Sequence, residues 1–263
     1  MLTKAVGLGT LPMIPSLDDF FPAPFAFEGT IFEMNRLVLV RLIAVALLVV
    51  IFAIGATRAK LIPSKGQMLL ETMILFVRDK IAIETLGEKE GRRFAPILTV
   101  IFLGVFFMNI TGVIPGLNIA ASSVVAVPLT FAIISYVIFI GAGIQRHGVF
   151  GYFRSQLFPS GVPTWLYVLL TPIELLSTFI IRPATLTVRL LANMLAGHLM
   201  LALCFFGTHY LFFEAAVGLK AAGFVTLAGG IIFTLFEIFV AGLQAYIFAI
   251  LTSVYIKLSI ESH

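Results

Sequence analysis

Charge is scarce in this sequence. Only 11% of its 263 residues are Asp, Glu, Lys or Arg, against 60% hydrophobic residues and a mean hydropathy of +1.10. A water-facing domain of this length carries roughly a quarter charged residues, so a soluble globule is excluded and lipid takes the place of a single large core. Cysteine is limited to Cys204, which excludes a disulfide framework and any thiolate metal cluster built by this chain alone. A Gly-rich loop ending in Gly-Lys-Ser or Gly-Lys-Thr is also missing, and with it the usual means of cradling nucleotide phosphates. The net charge of +4 does not indicate nucleic acid, because the basic residues crowd into one connection and so report membrane orientation. The fold class is therefore an all-α integral membrane protein.

About five spans and one amphipathic surface helix emerge from the pattern. Residues 1–36, with Pro12, Pro15, Pro22 and Pro24 around Asp18 and Asp19, form an irregular outer segment that lacks the basic-then-apolar order of a signal peptide. Residues 37–263 form one membrane domain. Its first span covers 37–57, and Arg41 near the start can snorkel to the interface. Residues 58–93 carry Arg58, Lys60, Lys65, Arg78, Lys80, Lys89, Arg92 and Arg93, while Met68, Leu69, Ile74, Val77 and Ile81 recur at helical spacing. That combination predicts an amphipathic hairpin along the cytoplasmic surface, which places the N-terminus outside and the C-terminus in the cytoplasm. Residues 94–145 hold no charge and break at Pro115, Gly116 and Asn118, giving spans over 94–114 and 124–144. Arg146 and Arg154 return the chain to the basic face.

The last two spans, 164–213 and 223–256, exceed the roughly 20 residues of a perpendicular crossing. They are expected to form a long, strongly tilted hairpin over 164–256, with Pro172 and Pro183 as bend points. Polar residues interrupt this hairpin. Arg189 lies far from either basic loop and cannot shed its proton. It is either structural glue paired with Glu174 or Glu237, or a fixed positive charge beside an ion path. Asn193 follows one turn later, about 40° round the helix, and His198 falls roughly opposite Arg189. Arg182 lies nearer the basic face, where snorkelling or a headgroup partner is the expected role. Thr234, Glu237 and Gln244 draw a thin polar stripe along the last helix. His198 and Glu237 are natural partners, as a proton-exchanging contact or as a static hydrogen bond. Glu174 either lines an inner access path or marks the interface. Ala241, Ala245 and Ala249 allow close approach of another helix, from this chain or a partner.

The run from Arg189 through Asn193 to Ala196-Gly197-His198 resembles the signature of subunit a of F-type ATP synthases. Leu243-Gln244-Ala245-Tyr246-Ile247-Phe248, with Thr252 and Tyr255 after it, is similar to that family's final helix. Pro63, Lys65, Gln67 and Glu71, then Phe106-Phe107-Met108-Asn109 and Pro115, fall in its order. The resemblance implies a proton-translocating stator of the membrane Fo sector. No cofactor or metal is expected, nor, without a nucleotide loop, catalytic activity on this chain alone, and the lack of a clear transit peptide favours a bacterial plasma membrane over an organelle. The implied partners are the c-subunit ring, b subunits of the peripheral stalk, lipid and protons. Arg189 takes the position of the essential arginine facing the ring carboxylates. Asn193, His198, Glu237, Gln244 and Asn109 are expected along an outer half-channel and Glu174 near an inner one. Some members carry Glu and His where this chain has His198 and Glu237, so the pair is exchanged here. Others carry an acid where this chain has Gly112. A secondary ion-coupled transporter is the competing reading and would require an internal repeat; a structural scaffold is the third.

Overall fold

The computed structural model describes residues 33–57, 63–114, 124–157 and 166–261. Their regular structure is helical, and five helical stretches are long and apolar enough to cross a membrane. Helix α1 (Arg36–Thr57) is apolar nearly all round and meets the rest of the chain mainly through α3. Helix α2 (Lys65–Phe76) starts at Ser64, whose hydroxyl accepts from the Gln67 amide at 3.4 Å. It runs on through a π-helical segment (Val77–Ile83) into α3 (Glu84–Ile110).

Gly87 turns this run back on itself. Its φ of 80° and ψ of 171° fall in a region essentially confined to glycine. Four residues later Gly91 packs so closely that an added Cβ would sit 2.7 Å from the Ile83 Cα. The predicted boundary near residue 94 therefore lies at Gly87. Val77 and Ile81, expected on the membrane surface, are fully buried by the returning helix, whereas Met68 and Leu69 remain exposed. Helix α4 (Ala126–Leu157) repeats the device at Gly148, with φ 72° and ψ 166°. It thus extends past the predicted 124–144 and folds back so that Tyr152 lies on Gly143. The predicted break at Pro115, Gly116 and Asn118 lies outside the described residues, as do most of the outer segment 1–36 and Arg58 and Lys60.

Helix α5 (Tyr167–Leu176), a π-helical turn (Ser177–Ile181) and α6 (Arg182–Phe213) form one continuous run. Pro172 lies within α5 and Pro183 opens α6 just after the π turn, so each removes one backbone donor from the run. A single 3₁₀ turn (Val217–Leu219) then leads into α7 (Lys220–Ile260). At 1.5 Å per residue, α7 measures about 60 Å, twice a hydrocarbon core of about 30 Å, an excess that tilt or ends beyond the hydrocarbon absorb.

Helix α7 is the spine. Its buried stripe includes Ala241, Ala245, Phe248, Ala249, Thr252 and Ile256, packed against α3, α4 and α6. Hydroxyls fasten it at several heights. Ser135 and Thr252 are 3.0 Å apart between α4 and α7, and the Ser259 hydroxyl donates to the Phe139 carbonyl at 2.5 Å. The Thr208 hydroxyl donates to Thr226 at 3.0 Å across the α6–α7 hairpin. Such bonds are worth making where no water competes.

Candidate functional site

Helix α6 buries Leu186, Leu190, Met194 and Leu201, a stripe that fixes its rotation. Arg189 precedes Leu190 by one residue, so it points about 100° away from that stripe and is exposed on the helix surface. Among the described residues it forms no ion pair, and neither Glu174 nor Glu237 reaches it. Asn193 is also exposed at the edge of the same face.

Helix α7 carries Glu237 in register with Ala241 and Ala245, so its carboxyl is drawn into the protein and is only 5% exposed. Gln244 lies two turns on and is similarly buried, and Asn109 reaches the same place from the end of α3. Asn109, Asn193, Glu237 and Gln244 line one void of about 10 Å³ together with Leu190 and Met194, close to the space one water molecule needs. Beside it a groove of about 340 Å³ is lined by Asn193, Gly197, Met200, Phe236, Glu237 and Gln244. Four of the seven residues singled out from the sequence thus converge, from α3 and from the α6–α7 hairpin. Arg189 sits one turn from this cluster, while Glu174 is half-buried on α5 and lines neither space.

Gly197 is the contributor that residue-by-residue reading passes over. A Cβ there would lie 2.7 Å from the Glu237 Oε1, so the bare backbone of α6 is the bed on which the carboxyl rests. Both Glu237 oxygens are buried and accept no hydrogen bond among the described residues. The direct bond expected between His198 and Glu237 is therefore not formed, because the carboxyl turns to the glycine instead. Thr234, read as part of the polar stripe, donates to its own helix at the Gly230 carbonyl, 2.7 Å away. The Arg182 guanidinium lies over the Tyr255 ring, 5.3 Å from the centroid, a cation–π contact between α6 and α7. The small-residue stripe is covered by this chain itself, with Ala245 and Ala249 fully buried and Gly242 facing Phe106 of α3. Among the described residues no group of three His, Cys, Asp or Glu side chains is placed to hold a metal ion.

Fold and site together define a multi-pass helical membrane protein with a polar, carboxyl-bearing site between its two longest helices. The family model of the ATP synthase A chain matches residues 38–257. The chain is 44% identical to ATP synthase subunit a of Rhodococcus erythropolis over 94% of its own length and 90% of the relative's. It is 40% identical to that of Frankia alni over 90% and 83%, and 36% identical to that of Myxococcus xanthus over 85% and 71%. The chain belongs to the ATP synthase A chain family. Membership makes it a membrane subunit of a bacterial ATP synthase, not one of the catalytic subunits, and decides against the secondary transporter.

Proposed function

We propose that this proton-translocating Fo subunit works as a stator that divides two offset aqueous half-channels with the fixed charge of Arg189. The single observation that carries the reading is the convergence of Asn109, Asn193, Glu237 and Gln244 on one small polar void, with Arg189 unpaired one turn away on an exposed face. The partner across that face is the c-subunit ring, with b subunits elsewhere on the surface. The basic residues of 58–93 set the cytoplasmic side, which leaves the N-terminus outside and the C-terminus inside.

The mechanism follows from the cost of charge in lipid. A ring carboxyl crossing the hydrocarbon must be protonated, because an unpaired ion there is expensive. On reaching the stator it meets Arg189. Opposite unit charges 4 Å apart attract by about 4 kcal/mol at an effective dielectric of 20, which favours release of the proton. Asn193, Gln244 and Asn109 supply donors and acceptors for water along the outer path, and Glu237 with His198 supplies groups that take up and give back a proton. Their exchange relative to other members keeps one acid and one imidazole at the same crossing. Glu174 serves the inner path. The permanent charge of Arg189 also repels a proton moving straight from one half-channel to the other.

Substitution of Arg189 by Ala tests this. Complexes carrying Arg189→Ala assemble, lose proton-driven ATP synthesis and allow proton flow without rotation. Full synthesis in assembled complexes overturns the assignment.

A further inference from the structure

The fold-back at Gly148 produces a surface that the proton path does not use. Residues 149–157 form a short helix anchored on one side: Tyr152 is completely buried against Gly143, and Phe153 stacks on Phe179 at 5.8 Å with an interplanar angle of 11°. The other side is bare. Phe150 is 92% exposed, more than any other large apolar side chain among the described residues. Arg154 stands four residues on, so the ring and the guanidinium share a face about 40° apart. Arg146 is exposed just before the turn.

These cations lack compensation. No acidic residue occurs between Glu90 and Glu174. Arg93, brought beside this region by its bond to Gln145, has Glu90 at 3.5 Å, but Arg146 and Arg154 form no ion pair among the described residues. Glu261 follows Ile260, whose carbonyl bonds the His147 ring at 2.8 Å, and it pairs with neither arginine. An apolar ring beside unpaired guanidinium groups, on a short helix at the end of a membrane span, has the make-up of an interfacial segment: the ring enters the acyl region and the cations stay at phosphate level.

We propose that the end of this fold-back, where Phe150 and Arg154 share a face and Arg146 is exposed just before the turn, is a docking surface for anionic phospholipid, with the ring seated among acyl chains and the two arginines on the headgroup phosphate. The proposal rests on the membrane setting and not on the proton-path reading.

The test places a photoreactive phenylalanine analogue at position 150 of the assembled ATP synthase, reconstituted in vesicles of equal parts phosphatidylglycerol and phosphatidylcholine. Mass spectrometry of this chain then identifies the adducts. Phosphatidylglycerol adducts are expected to exceed phosphatidylcholine adducts by about fivefold or more, each nearby cation favouring an anionic lipid by about that factor. The double variant Arg146→Gln, Arg154→Gln brings the ratio near one, and Arg154→Lys alone largely keeps the preference. Equal labelling of both lipids, labelling of another subunit, or no lipid adduct overturns the proposal. Should the double variant fail to assemble, Arg154→Gln against Arg154→Lys gives the same comparison.

Discussion

Glu237 and Gly197 show how much depends on one missing atom. The carboxyl lies where an alanine methyl would stand, 2.7 Å from its Oε1. Because that oxygen ends a flexible side chain, Gly197→Ala is expected to leave the subunit folded and to displace the carboxyl from the shared void. Misplacement of this order costs up to ~100-fold in a positioned site; proton-driven synthesis is expected to fall by about tenfold or more at normal assembly, and unchanged synthesis would deny Gly197 its role. The exchange His198→Glu with Glu237→His asks whether the two act as a unit. The double variant retains more activity than the product of the single losses, and strict additivity, measured as a double-mutant cycle, counts against a shared path. Arg189, Asn193, Glu237 and Gln244 were each legible as polar groups in apolar runs. What spacing along a helix did not give was contact across helices. His198 and Glu237 looked like hydrogen-bond partners by chemistry, yet the carboxyl lies against a glycine, and the Tyr255 ring under Arg182 left no trace in the spacing.

Elements that looked like simple spans are bent in specific places. The lengths of apolar runs gave the number of crossings and most helix starts, since 36–57 and 220–260 lie within a few residues of expectation. The two reversals were hidden. Gly87 and Gly148 are two glycines among 22, and only backbone geometry distinguishes them, with positive φ and extended ψ. Side chains with a Cβ adopt that region at a cost of about 1–3 kcal/mol. Gly87→Ala and Gly148→Ala are therefore expected to lower the amount of assembled complex and its melting temperature, whereas Gly66→Ala, with open space around its Cβ position, changes neither. Equal tolerance at all three positions would show that the reversals do not need glycine. The π turn 177–181 was legible only as two prolines, whose consequence for the backbone depends on how the neighbouring helices close around them.

At the scale of the whole molecule, burial is inverted on the α6–α7 surface. Val188, Phe236 and Phe239 are more than half exposed, while Glu237 and Gln244 are buried. An apolar exterior suits lipid or a membrane partner, and the polar site is kept inside, apart from Arg189 and Asn193. That one cation, without an ion pair of its own and beside the cluster of amides and carboxyl, is the point at which a second polypeptide enters the account. A density map of the intact complex in a lipid bilayer, resolved well enough to place side chains around Arg189, tests this most directly. A carboxyl group from a ring subunit is expected within ion-pair distance of the guanidinium. Finding Glu174 or Glu237 of the same chain there, or lipid alone, would contradict it.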